Sequence, residues 1–317
     1  NVCGGQQVDR AVGVHERGGD YMRERNSERG GDHTHACVPG CMIKCSNIYV
    51  DENGEEMGAP LEYETIGLRG TNVGITEPDD MARLNATLND LGVDTIEVGA
   101  TLGVLMEAGQ AEFGDVPFME AALKDIAEGN ERGQLLSKGT YMVGEALGVE
   151  RVPVIKKQAL SAYDPRVIEV TGITMIVTAQ GADHTTGNLP GAECAGKSTE
   201  ELSEMSLEMQ VNSAAADSLG LCVFGRSITN THHQLIIDAL NAAFDAGLGP
   251  DFINEIGRET LLKEIEFNEQ AGFTDADDVL PQFFLDEEVP PTGKKARHSG
   301  PDINKYQRQW LQEGRSF

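Results

Sequence analysis

The sequence has no long apolar run and few basic residues. Its longest stretch without a charged residue, residues 170–182, is shorter than the roughly 20 apolar residues that a membrane-spanning helix needs. A membrane span is therefore excluded. Lys and Arg total 25 against 52 Asp and Glu, which gives a formal net charge of −27. Because nucleic acids and anionic membranes repel a negative surface, neither is an expected partner.

The start of the sequence lacks both an initiator Met and the apolar segment of a signal peptide. We therefore interpret it as a piece of a longer polypeptide and expect a cytoplasmic location. A chain of 317 residues, 39% of them apolar, is long enough for one large or two ordinary domains with apolar cores.

Strand signals are also scarce, whereas apolar residues recur at helical spacing along most of the chain. The predicted fold class is mainly α, with two helical domains that separate at the start of the glycine-rich stretch 181–196. Helices are expected over residues 79–91, 95–110, 116–127, 131–147 and 250–271. The expected domains are residues 1–180 and 181–286, followed by an extended tail over residues 287–317.

The six cysteines are too few for a disulfide scaffold in a chain of this length. Three of them, Cys37, Cys41 and Cys45, lie within nine residues, and this clustering indicates a metal site. Thiolates close in sequence suit either a tetrahedral zinc, with His33 or His35 as a fourth ligand, or an iron–sulfur cluster with a distant fourth cysteine. Their spacing alone leaves zinc and iron–sulfur open.

Two glycine-containing turns form a matched pair. Residues 89–94 read N-x-x-G-x-D, and residues 217–222 read D-x-x-G-L-C. Each offers backbone N–H groups and a carboxylate, which are groups that can hold a phosphate-bearing, pterin-like ligand.

Together these motifs resemble the aldehyde ferredoxin oxidoreductase family of tungsten or molybdenum enzymes. The resemblance covers most of residues 30–285 and implies the two helical domains called 2 and 3 in that family, without its N-terminal domain. The matching segments follow the family's order and are the clustered cysteines and residues 62–65, 70–75, 89–99, 163–166, 181–184, 217–222 and 272–281.

The resemblance also implies cofactors and site residues. A 4Fe-4S cluster would be held by Cys37, Cys41, Cys45 and Cys222. A tungsten or molybdenum bis-pyranopterin would be contacted by Asn89, Gly92, Asp94, Asp217, Gly220 and Leu221. The proton-transfer residues would be Glu64 and His184, with Glu62 as the alternative to Glu64.

The implied reaction oxidises an aldehyde to a carboxylic acid and passes the electrons through the cluster to ferredoxin or another electron-transfer protein. The family resemblance also allows a homo-oligomer. Three alternatives stay open: the active-site subunit of a related reductive enzyme of the aromatic acyl-CoA reductase type, a non-catalytic iron–sulfur electron-transfer module, and a zinc-structured helical protein.

Overall fold

The chain divides into two compact units, Asn1–Ala162 and Tyr163–Phe317. The computed structural model describes residues 18–58, 60–298 and 300–315 of them. Residues 1–17 of the expected first domain lie outside the described residues. Across those described ranges, no helix has both the length and the apolar character that crossing a membrane requires.

The first unit combines short sheets with a larger set of helices. Two antiparallel pairs are formed by β1 (Asp32–His35) with β2 (Ser46–Ile48) and by β3 (Val154–Ile155) with β4 (Gln158–Ala159). A π-helical turn, Gly67–Thr71, follows the second α-helix. The α-helices are α1 (Gly19–Glu28), α2 (Tyr63–Ile66), α3 (Pro78–Leu91), α4 (Thr95–Glu107), α5 (Val116–Glu128), α6 (Glu131–Leu136) and α7 (Gly139–Leu147).

The end of α3 and the start of α4 are fixed by caps. Gly92 ends α3 in a left-handed conformation with φ of 69°, which glycine adopts at little cost. The carboxylate of Asp94 begins α4 by accepting hydrogen bonds from the amides of Ile96 and Glu97 at 3.4 and 2.9 Å. The predicted helix over residues 131–147 is instead interrupted, because Gly139 has φ of 85°.

The core of the first unit lies among α3, α4 and α5. Helix α4 is buried over most of its length and approaches the π-helical turn closely. A Cβ atom on Gly99 would lie 2.8 Å from the Cβ atom of Leu68, so this contact requires glycine. The fully buried apolar side chains of the core include Met81, Leu84, Leu88, Leu102, Met119 and Leu123.

A group of charged and hydroxyl side chains joins α1 to the start of α3. Asp79 accepts hydrogen bonds from Tyr49 Oη and Arg29 Nη1, each at 2.7 Å, and from Arg25 Nη2 at 3.0 Å. Burial alone would raise the pKa of Asp79, but Arg29, Tyr49 and the charge of Arg25 lower it to about 2. The two arginines thereby hold α1 against the rest of this unit.

The second unit is helical in all its regular elements that the structure describes. Two 3₁₀ turns occur at Val223–Gly225 and Asp275–Asp277. Its α-helices are α8 (Glu169–Val177), α9 (Thr199–Ser218), α10 (Arg226–Thr229), α11 (His233–Phe244), α12 (Phe252–Gln270), α13 (Gln282–Asp286) and α14 (Pro301–Gln312).

Helix α9 is the centre of the second unit. Ser198 and Glu201 form a capping box at its start. It packs closely on α12, because a Cβ atom on Gly257 would lie 2.1 Å from the carbonyl oxygen of Val211. Leu207, Leu261 and the side chains of α14 complete the core.

The observed limits differ from the expected ones at two places. The two units divide after Ala162 rather than after residue 180, because α8 packs on α9. The tail expected to be extended contains α14, whose Trp310 is buried beside Leu207 and Val211. Burying this apolar side chain favours the helix despite the polar composition of the tail.

We expect Asp79→Asn to lower the free energy of unfolding at pH 7 by about 2 kcal/mol, because the lowered pKa of Asp79 stabilises the folded state once it is ionised. The full decrease should be seen well above pH 3.8, the ordinary pKa of an aspartate, and the decrease should vanish as the pH falls toward 2. Urea unfolding at pH 7 and pH 2.5 measures it. Asp80→Asn, which removes the neighbouring, partly exposed ion pair with Arg83, is the control with a small effect at both pH values. An equal loss for the two variants would contradict the role of Asp79.

Candidate functional site

The three clustered cysteines lie on the loop that joins β1 to β2. Cys37 and Cys45 are exposed and Cys41 is half-buried, and they form no disulfide with one another. The loop turns at Gly40, where the amide of Cys41 donates to the carbonyl of Val38 at 3.2 Å. One surface loop of the first unit therefore presents all three thiols.

Glu64 follows this loop in sequence and lies in the short helix α2. Its Oε2 accepts a hydrogen bond from the amide of Ala162 at 2.7 Å. Burial raises the pKa of Glu64 to about 7, the Ala162 amide opposes this rise, and the charge of Asp94 adds to it. Burial also raises the pKa of Glu62, but Glu62 is exposed at the start of α2 and bonds to Ser46. Of the two, Glu64 is thus the less exposed carboxyl and the one that a backbone amide orients.

A cavity of about 740 Å³ lies beside α2. Tyr63 and Ile66, which flank Glu64 in sequence, line it together with Ala162, Met22 and Leu61. The backbone is held tightly at this wall, because a Cβ atom on Gly67 would lie 2.5 Å from the Cβ atom of Ala162. The carboxyl of Glu64 therefore bonds to the backbone of a residue that lines a mainly apolar cavity.

The two glycine turns have the same backbone geometry. Gly92 and Gly220 are both left-handed, with φ of 69° and 66°. In the first turn, the amide of Gly92 donates to the carbonyl of Asn89, and the amide of Val93 donates to that of Leu88. In the second turn, the amide of Gly220 donates to the carbonyl of Asp217, and the amide of Leu221 donates to that of Ala216. Both turns are helix C-caps of one type, at the ends of α3 and α9.

This shared geometry decides which groups of the turns can reach a ligand. The turn amides are used in capping the helices, and the Asp94 carboxylate caps α4. The side chains of Asn89 and Asp217 are exposed. Asn89 Nδ2 bonds to Asn85, while Asp217 lies in the last turn of α9, where the helix dipole disfavours a negative charge. Helix stability therefore does not explain why an aspartate occupies position 217.

Carboxylates of the second unit gather near Asp183. Asp217 and Glu264 are exposed residues, but partial burial of their carboxyl groups raises the pKa of both, and the charge of Asp183 raises both further. Asp183 and Glu264 line one cavity of about 490 Å³. His184 contacts the ring of Tyr163 with centroids 5.1 Å apart, and burial lowers its pKa, which keeps the imidazole neutral at pH 7.

Cys222 follows the second glycine turn and is exposed. It begins the 3₁₀ turn Val223–Gly225, where the amide of Gly225 donates to its carbonyl at 2.8 Å. The structure therefore presents Asp217, Gly220, Leu221 and Cys222 together at the end of α9.

The residues present fit the implied cofactors in donor chemistry. Among the described residues, no three His, Cys, Asp or Glu side chains form a ready-made metal site. Exposed thiols on one loop are nevertheless the ligand type that iron–sulfur clusters use. The amide of Asn89 and the carboxylate of Asp217 can accept hydrogen bonds from the N–H groups of a pterin ring.

Sequence reasoning missed two residues near these groups. Glu264 lies on α12 and its relation to Asp217 depends on helix packing, so no spacing in the sequence reveals it. Arg69 is buried in the π-helical turn. Its neighbours Gly67, Gly70 and Thr71 are small, but small neighbours do not indicate a buried charge.

Comparison with known proteins gives the family. A family model described as aldehyde ferredoxin oxidoreductase, domains 2 and 3, matches residues 6–313. The tungsten-containing aldehyde ferredoxin oxidoreductases of Pyrococcus furiosus and Thermococcus kodakarensis are each 30% identical, over 278 and 286 residues. These alignments cover 79% and 81% of this chain and 45% of each relative. The chain thus spans about half the length of these relatives.

A second type of relative is the WOR-like subunit of an aliphatic sulfonate oxidoreductase of Pyrococcus furiosus, 28% identical over 289 residues, or 83% of this chain and 43% of that protein. Among solved structures, the active-site complex BamBC of benzoyl coenzyme A reductase with 1,5-dienoyl-CoA has a TM-score of 0.68 at 13% identity. It covers 92% of this chain and 56% of that one and shares the fold. These matches confirm the predicted fold class and the resemblance: the chain belongs to the aldehyde ferredoxin oxidoreductase family and corresponds to its domains 2 and 3.

Proposed function

We propose that this chain is part of a tungsten- or molybdenum-dependent oxidoreductase that converts an aldehyde to a carboxylic acid and passes electrons to ferredoxin or another electron-transfer protein. The observation that carries the proposal is the family match over residues 6–313. It is supported by the relatives named as tungsten-containing aldehyde ferredoxin oxidoreductases. The buried carboxyl of Glu64 supplies a group with the acidity that such chemistry needs.

The reaction releases protons as well as electrons. One aldehyde and one water give a carboxylic acid, two electrons and two protons. When bound, the metal–pterin centre would accept the two electrons, and a 4Fe-4S cluster would pass them on one at a time. The protons need acceptors on the protein.

Glu64 is the acceptor that we assign for the first proton. With a pKa of about 7 it is ionised in a large share of molecules at neutral pH, and it can release the proton again. The Ala162 amide holds one oxygen and so orients the carboxyl. His184, neutral at pH 7 because burial lowers its pKa, is the proton acceptor that we assign in the second unit.

The remaining predicted residues would hold the cofactors. We assign Cys37, Cys41, Cys45 and Cys222 to the cluster. Asn89 and Asp217 would accept hydrogen bonds from the pterins, and the left-handed Gly92 and Gly220 set the two turns that present these side chains. Asp94 would contribute mainly by fixing the first turn, since its carboxylate caps α4.

Removing a cluster ligand should abolish iron binding without unfolding the protein. We expect Cys41→Ser and Cys222→Ser each to lose most of the protein-bound iron and the reduced-state EPR signal, since a serine oxygen is a poor ligand for a cluster. Cys194→Ser is the control, because Cys194 is buried and donates to the carbonyl of Ala192 at 3.5 Å. Wild-type iron content and spectra in both ligand variants would overturn the assignment.

Glu64→Gln should remove a proton acceptor and also a pH-dependent cost to folding. Because burial raises the pKa of Glu64, the ionised carboxyl destabilises the fold progressively between pH 4.5 and 7. The Gln variant should therefore match the wild type at pH 4.5 and be more stable by about 2 kcal/mol at pH 8.

Urea unfolding of the cofactor-free protein at the two pH values measures this difference. The same variant should lose at least about 100-fold in aldehyde oxidation, as expected for loss of a general base. Glu62→Gln is the control: it should change activity little, and its stabilising effect at pH 8 should be smaller than that of Glu64→Gln. A stability difference that does not depend on pH would contradict the raised pKa.

Asp217→Ala, which removes the hydrogen-bond acceptor, should weaken pterin retention more than folding. A carboxylate in the last turn of a helix, close to Asp183, destabilises the folded chain, so its removal should leave the unfolding midpoint equal or slightly higher. Pterin content per chain should fall. Asp238→Ala, on α11 and bonded to Gln234, is the control. Equal pterin content in wild type and Asp217→Ala would exclude the contact.

A further inference from the structure

Arg69 is a buried cation to which no carboxylate of the described residues forms a hydrogen bond. The side chain is fully buried, in the π-helical turn Gly67–Thr71. Its guanidinium donates to Asn85 Oδ1 at 2.8 Å, Thr65 Oγ1 at 3.3 Å and the Leu84 carbonyl at 3.4 Å, all neutral acceptors. Within residues 18–58, 60–298 and 300–315 it forms no ion pair, and its Nε has no acceptor.

This arrangement is unusual in a chain whose acidic residues outnumber its basic ones two to one. Arg29 is bidentate on Asp79, and the buried Arg166 binds Asp164. Burial lowers the pKa of Arg69 to about 10, with the charge of Asp94 opposing, so Arg69 stays protonated at neutral pH. A buried charge without a counter-ion costs stability. The fold therefore maintains a positive charge that its described residues do not neutralise by contact.

The hydrogen bonds of Arg69 connect it to two parts of the candidate site. Thr65 follows Glu64 in α2. Asn85 accepts from Arg69 and also from Nδ2 of Asn89 at 3.1 Å, and its own amide donates to the carbonyl of Pro60 at 3.0 Å. Arg69 thus lies between α2 and the first glycine turn. Short π-helical turns occur frequently at functional sites.

We propose that Arg69 is a positioning residue whose buried positive charge stabilises the anionic, phosphate-bearing pterin cofactor at the first glycine turn. The inference rests on the proposed function. In an interior of low dielectric constant, a charge acts over several ångströms without contact. Binding of an anion then supplies a counter-charge that no contact among the described residues provides. Asn85 Oδ1 accepts hydrogen bonds from both Arg69 and Asn89 and so fixes one relative to the other.

Two substitutions separate charge from hydrogen bonding. Arg69→Gln keeps an amide donor and removes the charge, whereas Arg69→Lys keeps the charge and removes the planar fork of donors. We expect Arg69→Gln to lose tungsten or molybdenum, and pterin phosphorus, at least about tenfold faster than wild type during dialysis of the purified holoprotein. Arg69→Lys should stay within about threefold of wild type. A tenfold change corresponds to about 1.4 kcal/mol.

The second measurement is the urea midpoint of the cofactor-free protein. If Arg69 had only a structural role, Arg69→Gln would lower this midpoint. Removing an uncompensated charge should leave the urea midpoint of Arg69→Gln equal to or above that of wild type. The control Arg29→Gln leaves Asp79 without its bidentate partner and should lower the midpoint with unchanged cofactor retention.

Two results would overturn the inference: wild-type retention in Arg69→Gln, or better retention in Arg69→Gln than in Arg69→Lys together with a lowered midpoint. Either one makes Arg69 a structural hydrogen-bond donor. A wild-type holoprotein that contains neither metal nor pterin would instead overturn the proposed function itself, so the two failures are distinguishable.

Discussion

The candidate site of the first unit depends on the close packing of residues 63–71 against Ala162 and Gly99. Gly67 approaches Ala162 and Gly99 approaches Leu68 at distances that allow no Cβ atom. These approaches place α2 where the Ala162 amide reaches the Glu64 carboxyl. They also bury Arg69 between α2 and α3. One packing arrangement of small residues thus sets both a proton acceptor with a pKa near 7 and a buried cation.

Charge is distributed in two contrasting ways around this contact. Where the fold needs rigidity, acids and bases pair, as Asp79 does with Arg25 and Arg29. In the candidate site, the half-buried Glu64 accepts a hydrogen bond from a backbone amide, and among the described residues the buried Arg69 donates to neutral acceptors. Charges that burial disfavours weaken a fold, so their occurrence in one region is what binding and proton transfer would require.

The sequence predicted elements whose signals are local. The helix expected over residues 79–91 is observed at Pro78–Leu91, because a proline at its start and a glycine after its end mark its limits. The matched glycine turns were visible in the same way, and both are C-caps of one type. Glycine and cap residues act on neighbours in sequence, which is why their effects could be predicted.

Features that depend on long-range packing could not be predicted. Helix α14 forms because Trp310 reaches the core beside α9, a contact about a hundred residues away in sequence. The burial of Arg69 and the relation of Glu264 to Asp217 arise in the same way. The family resemblance already favoured Glu64 over Glu62, but the hydrogen bond that orients the Glu64 carboxyl comes from Ala162, which no pattern near residue 64 contains.

A metal analysis of the anaerobically purified wild-type protein, counting iron, zinc, tungsten and molybdenum per chain, decides whether the assigned cofactors are present. We expect about four iron atoms, as a 4Fe-4S cluster requires, and one tungsten or molybdenum. Four irons without tungsten or molybdenum would indicate an electron-transfer module. One zinc and no iron would contradict the account.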